Sequence, residues 1–152
     1  MGRKKVQKNY TPWQYRGKSL LEVPENAYGF IYLITELDTG MRYIGKKAFN
    51  SYSSKIEHKL NEKTGRMNKV KTIVVKPSNW QEYFGSNKDL LSNLKKKGAD
   101  NYKREVLQLA YTKKQLTFLE VSWQCQYHVL EEEGWYNDNI LAKFYRRDFI
   151  LE

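Results

Sequence analysis

Residues 29–47 read Gly-Phe-Ile-Tyr-Leu-Ile-Thr-Glu-Leu-Asp-Thr-Gly-Met-Arg-Tyr-Ile-Gly-Lys-Lys, and no other stretch constrains the fold as strongly. β-Branched and aromatic residues flank a turn, Glu36 to Gly40, that carries Asp and Gly, the pattern of a β-hairpin. Side chains alternate along a strand, so Phe30, Tyr32 and Ile34 share one face, as do Met41, Tyr43, Gly45 and Lys47. A turn centred between Asp38 and Thr39 sets Tyr32 opposite Gly45 and Tyr43 diagonally across on the same side. Glycine facing a tyrosine leaves a gap that another backbone, such as a phosphodiester, can approach. A one-residue slip would send Tyr43 to the other face. The plain alternative is that both tyrosines are ordinary half-buried strand residues.

The chain has 152 residues, the length of one domain, and a formal net charge of +10. Such an excess calls for an anionic partner, nucleic acid first, with a membrane surface or an acidic protein as the alternatives. No apolar run approaches the ~18 residues of a membrane span, and the Lys/Arg-rich N-terminus lacks an apolar stretch, so neither a membrane protein nor a secreted one is expected. The single cysteine, Cys125, cannot form an internal disulfide and fits a reducing compartment such as the cytoplasm. Its helix-periodic neighbours predict a packing role in the core. A four-cysteine zinc site is excluded.

Residues 1–25 form a basic arm with Tyr10, Trp13 and Tyr15 among Lys8, Arg16 and Lys18, ahead of a domain at 26–152. The mixture suits a segment that tracks a nucleic acid, cations on phosphates and rings on bases; it equally suits a tail whose aromatics cover the domain. Residues 48–79 are a basic insertion. A short helix is expected over 52–63, ended by Thr64-Gly65, then an extended run Val70–Val75 stopped by Pro77. Lys55, Lys59, Lys63, Arg66, Lys69, Lys71 and Lys76 outnumber Glu57 and Glu62; a solvated face would look similar, but an excess of this size points to a DNA-contact surface.

Ser86, with Asp89 three residues on, predicts a helix start; Leu90, Leu91 and Leu94 give its apolar stripe and Gly98 its stop. Tyr102 to Ala110 predicts a third strand. Thr112 and Gln115 form a second capping box opening a long helix to about Leu130, with the stripe Leu116, Leu119, Trp123, Tyr127, Leu130. Glu120 falls inside that stripe. A buried carboxylate costs several kcal/mol without compensation, so Glu120 sits either at the half-solvated edge or has a task such as holding a metal.

Taken together, the two-tyrosine hairpin, basic segment, helix, strand, glutamate-bearing helix and Tyr136-Asn137 resemble the GIY-YIG nuclease superfamily over about residues 28–139. The likeness is greatest to phage-type, Seg-like free-standing endonucleases, which similarly show Tyr-Ile-Gly-Lys-Lys, a Trp-x-x-Tyr-x-Gly-Ser segment, a glutamate on the last long helix and a late Tyr-Asn. The resemblance implies an α+β fold with a small three-stranded antiparallel sheet flanked by helices, and a divalent-metal-dependent DNA endonuclease, in the host cytoplasm if phage-encoded. It implies further that Tyr32 and Tyr43 surround the attacking water and scissile phosphate, that Glu120 binds one Mg²⁺ or Mn²⁺, and that Asn137 matches the family's terminal asparagine, with Asn139 its rival. The family's arginine, about ten residues beyond the second tyrosine, falls here at Ser53. Lys47 is the first substitute, with Lys55, His58 and Lys59 behind it, although lysine lacks arginine's bidentate fork. Tyr83-Phe84-Gly85-Ser86 also looks like the second half-motif, but lies fifty residues beyond the first tyrosine, outside a hairpin's reach.

In chemical terms, phosphodiester hydrolysis needs a nucleophilic water, charge neutralisation at phosphorus and help for the leaving oxygen; a cation at Glu120 serves the last two. A tyrosine can relay the water's proton only if a cation lowers its pKa, and Lys46, Lys47 and the metal are the candidates. Lys46 also joins the lysines of the insertion and Arg66 as a DNA contact. Two rivals remain at this point: a nucleic-acid-binding module that has lost cleavage, and a regulatory protein whose basic face binds an acidic partner.

Overall fold

Alternating apolar residues draw the chain into a central sheet, seen in a computed structural model that describes residues 10–149. Its strands are β1 (Gln14–Tyr15), β2 (Lys18–Ser19), β3 (Gly29–Glu36), β4 (Arg42–Ala48) and, later in the chain, β7 (Tyr102–Ala110), in the order β2-β1-β7-β3-β4. Between β4 and β7 come β5 (Asn50–Leu60), β6 (Met67–Pro77) and helix α1 (Lys88–Lys97); after β7 come helix α2 (Lys113–Gln126), β8 (Asn139–Ile140) and β9 (Phe144–Tyr145). The expected three-stranded antiparallel sheet is β7-β3-β4. The β1-β2 hairpin widens it through a parallel pairing of Gln14 with Glu105.

The register of β3 with β4 is the expected one: Tyr32 lies opposite Gly45 and Ile34 opposite Tyr43. Where β3 meets β7 the pairing jumps from Ile31–Gln108 to Tyr32–Val106, a bulge beside Tyr32, and bulges re-aim neighbouring side chains. Trp13, Phe30, Tyr32, Phe49, Trp80 and Phe84 pack on one side of the sheet. Ile31, Ile44, Leu116 and Val129 pack on the other, beneath α2.

Several sequence expectations are corrected. Residues 52–63 are not helical: β5 pairs with β6 over eleven residues each as a two-stranded ribbon, with Tyr52 opposite Val75 and Leu60 opposite Met67. Cross-strand pairing of the β-branched run at 70–75 outweighs the weak helical pattern of 52–63. The cap of α1 is Asn87, whose side chain accepts from Leu90 N–H at 3.0 Å, in place of Ser86. Thr112 does cap α2, accepting from Gln115 N–H, but the Gln115 side chain reaches back to Tyr111 N–H. That helix stops at Gln126 rather than Leu130; His128 follows with φ 52° in the left-handed region. Cys125 is exposed, outside the core.

The aromatic part of the arm packs into the domain. Trp13 is fully buried, its Nε1 donating to Trp80 C=O at 2.6 Å. Arg104, buried with it, donates to the carbonyls of Gln81, Tyr83 and Thr11 and lies 4.6 Å from the Trp13 ring. Lys8 and the Gly-Arg-Lys-Lys start lie outside the described residues. No helix among the described residues is long and apolar enough to cross a membrane.

Candidate active site

β4 is the last strand of the sheet, so its outer edge is open to a third partner. Residues 134–139 run along that edge: Arg42 N–H bonds Gly134 C=O, Tyr136 N–H bonds Arg42 C=O, and at Ile44 the Asn137 side chain takes over. Its Oδ1 accepts from Ile44 N–H at 3.1 Å and its Nδ2 donates to Ile44 C=O at 2.8 Å. Gln124 of α2 donates to the same carbonyl at 3.1 Å. Asn137 is buried and both ends of its amide are occupied, so its part is to hold the strand between Tyr43 and Gly45. Asn139 lies at the start of β8, where Oδ1 accepts from Ala142 N–H.

A cavity of about 190 Å³ opens at this edge, lined by Tyr43, Ser86, Glu120, Gln124, Asn137, Asp138, Asn139 and Leu141. Beside it is a second of about 420 Å³, shared by Tyr43, Ser86, Asp138 and Asn139 and extended by Asn87, Lys88 and Asp89 at the start of α1. Four segments that are distant in sequence therefore meet: the hairpin, the start of α1, the middle of α2 and residues 137–141.

On the sheet face, the Tyr32 and Tyr43 rings lie 6.2 Å apart and Tyr83 meets Tyr32 edge-on at 5.9 Å. Gly45 makes room for this cluster: a Cβ there would come within 2.6 Å of Tyr32 Cζ. Gly85, at φ +88°, lets its loop pass over both rings, where a Cβ would stand 3.2 Å from Tyr43 Cε1. Tyr43 OH is 3.5 Å from Ser86 Oγ. Tyr32 is only 1 % exposed, and burial, then the neighbouring Tyr43, raises its phenol well above the usual value. Burial also raises Tyr43, against the Ser86 hydrogen bond that lowers it. Both phenols are thus protonated at neutral pH, and Tyr43 is the one that reaches the cavity.

Glu120, 18 % exposed, faces the cavity from α2 with Lys46 Nζ at 4.0 Å. Burial raises its carboxyl, with Lys46 pulling the other way. Lys46 also donates to Thr117 Oγ1 at 3.0 Å, so it lies on the helix side of the sheet. Lys47 lies on the tyrosine side, its ammonium 4.2 Å from the centre of the Tyr83 ring, and burial lowers its pKa.

The structure brings Tyr43, Glu120 and Asn137 around one cavity, with Tyr32 directly behind Tyr43. Lys55, His58, Lys59, Lys69 and Lys71 stand on the ribbon, and Lys63 and Arg66 at its tip, none lining that cavity. Lys55 pairs with Glu57 at 3.6 Å. Sequence reasoning missed Ser86, Lys88, Gln124 and Asp138. For Ser86 the signal was available in the Trp80-x-x-Tyr83-x-Gly85-Ser86 segment; the others depend on long-range packing.

Comparison with known families finds a match over residues 13–140 to the family model for the GIY-YIG domain of the endonuclease segE. No curated protein and no solved structure matches.

Proposed function

The chain belongs to the segE GIY-YIG endonuclease-domain family, and from that premise we propose that it is a divalent-metal-dependent DNA endonuclease that cuts at the Tyr43–Glu120 cavity. One observation carries the reading: a tyrosine hydroxyl and a largely buried carboxylate converge on a polar cavity at an open sheet edge. Phosphodiester hydrolysis joins a water oxygen to phosphorus and breaks one P–O ester bond. One proton leaves the water and one reaches the departing oxygen.

Tyr43, protonated and turned to the cavity, takes the attacking water's proton on its phenol oxygen as it passes its own proton to Ser86 Oγ, which in turn releases its hydroxyl proton to solvent, so that each group ends as it began. Tyr32 is too buried to touch substrate and instead orients Tyr43. Glu120 fits a hard cation, Mg²⁺ or Mn²⁺: its charge is disfavoured by burial and only partly offset by Lys46, so a bound cation would relieve it. When bound, that cation supplies positive charge at the phosphate and leaving oxygen. No cluster of three or more His, Cys, Asp or Glu side chains is gathered among the described residues, so water and phosphate oxygens would complete its shell. Lys47 stands nearest the tyrosines as the phosphate-facing cation. Lys55, Lys59, Lys63, Arg66, Lys69 and Lys71 supply sequence-independent phosphate contacts.

The test is incubation with supercoiled plasmid under Mg²⁺, Mn²⁺ and chelator. Nicked or linear product only with metal supports the reading. DNA binding with no product under any metal would instead select a module that has lost cleavage, a rival favoured by Ser53 at the arginine position and by Lys47 held over Tyr83.

A further inference from the structure

The β5-β6 ribbon has two unlike faces. Residues directly opposite each other in an antiparallel pair share a face, so the register puts Tyr52, Ile56 and Leu60 of β5 with Met67, Ile73 and Val75 of β6 on one side. All six are large apolar residues and between 48 and 66 % exposed. Interleaved with them on that face are His58, Lys69 and Lys71. The other face carries Lys55, Lys59 and Lys76 with Glu57, which pairs with Lys55 at 3.6 Å, among Ser, Thr, Asn and Val.

An exposed apolar strip of this kind marks a surface built for a partner. Charge identifies which one. Residues 50–77 hold seven cations against two carboxylates, a net +5 within the chain's +10. A second copy laid on this face would oppose like charges across the whole strip, whereas a nucleic acid offers phosphates to the lysines and apolar base edges to the aliphatic side chains. Strands about 4.8 Å apart fit the ~12 Å major groove without deforming it, while the ~6 Å minor groove would have to be forced open. The ribbon is also firmly rooted in the central sheet. It follows β4 after one buried residue, Phe49; Ser78 N–H bonds Phe49 C=O at 2.9 Å, Ser78 Oγ bonds Ala48 C=O at 2.7 Å, and the Tyr28 and Tyr52 rings stack at 5.6 Å.

We infer that the ribbon lies in the major groove with its Ile56–Ile73 face on the base edges, and that this face gives the protein its sequence preference. The inference rests on the DNA-substrate reading above but not on cleavage. Ile56, Ile73 and Leu60 contact thymine methyl groups, and Lys69 and Lys71 reach guanine O6 and N7, the groups that distinguish base pairs in that groove. The opposite face and the tip hold the phosphates.

The experiment uses the full chain carrying Glu120→Gln, so that binding is read without cutting. Bound duplexes are selected from a randomised pool, and the enriched duplex is footprinted with dimethyl sulfate, which modifies guanine N7 in the major groove and adenine N3 in the minor. A comparison protein has residues 55–72 replaced by Asn-Gly, which joins the facing residues Ser54 and Ile73 in a short hairpin. A second carries Ile56→Ser and Ile73→Ser. The expected result is an enriched motif with protected guanine N7, absent with the shortened ribbon, and a preference over unrelated DNA about tenfold weaker in the double variant. Uracil in place of thymine should weaken the full ribbon, and weaken the double variant less, since only Leu60 still meets a thymine methyl there. The inference is overturned if the motif survives ribbon shortening, if adenine N3 is protected instead, or if the ribbon face proves to hold a second copy in sedimentation. A wild-type protein that never cuts plasmid would sink the nuclease reading and leave this result standing.

Discussion

The side-chain amide of Asn137 occupies both backbone hydrogen-bonding groups of Ile44, accepting at 3.1 Å and donating at 2.8 Å. In effect it is a one-residue strand pairing with the open edge of β4, set between the tyrosine that lines the cavity and the glycine that makes room for its neighbour. The segment that carries it is anchored in turn by Tyr136, whose hydroxyl donates to the buried Glu36 at 2.7 Å. A carboxylate at the hairpin turn thus steadies the residue that steadies the site.

Asn137→Ala leaves the buried Ile44 N–H without its partner and should cost about 2 kcal/mol of stability. Hydrogen exchange at the Ile44 amide should accelerate, and cleavage should fall with it. An Asn137→Ala protein with unchanged exchange and rate would remove this residue from the positioning of Tyr43.

Glu120→Gln should abolish metal-dependent cleavage and keep DNA affinity. Burial raises this carboxyl, so its charge opposes folding above its ordinary titration range, and the amide should fold at least as stably near neutral pH. Plasmid cleavage and DNA binding with Mg²⁺ check the first half, and thermal melts near neutral pH the second. Retained metal-dependent cutting would mean that another group holds the cation.

Tyr43→Phe should lower the cleavage rate roughly a hundredfold, the scale of lost proton-transfer help, with little change in melting temperature. Tyr32→Phe should cost less rate, because that hydroxyl does not reach the cavity. Single-turnover rates on a defined duplex decide the order, and the reverse order would move the catalytic role to Tyr32.

Glu36 governs acid stability. Burial alone would raise its carboxyl, but hydrogen bonds from Thr39, Lys97, Tyr136 and Tyr102 outweigh it and bring the pKa down to about 2 from 4.5. A lowered acid contributes stability that is fully present above its unfolded value and is lost as pH falls from about 4.5 towards 2. Glu36→Gln should therefore destabilise the protein by about 3 kcal/mol at pH 7, with the gap to wild type closing as the pH approaches 2. Urea unfolding across that range measures it; a gap that stays constant with pH would assign the effect to packing.

Local patterns made much of this legible in advance. Alternation and an Asp/Gly turn specify the β3-β4 register and hence Tyr32 against Gly45, because a one-residue slip would turn Ile44 away from the α2 side, where it packs with Ile31, and take Gly45 from the Tyr32 ring. The strand over 102–110 and the cap at Thr112 followed from equally local signals. The ribbon did not, since residues 52–63 carry only a weak helical pattern and form a strand by pairing with 67–77.

Readable from short windows alone are the β3-β4 hairpin with the shared face of its two tyrosines, the strand over 102–110, the two helices and the excess of positive charge, since each depends on alternation, capping or composition. Long-range packing alone brings Glu120 and Tyr43, from opposite sides of the sheet, together at the outer edge of β4, commits Asn137 to Ile44 and places Trp13 in the core. Those outcomes depend on which surfaces of distant segments exclude water together, and no periodicity within one segment records its partner.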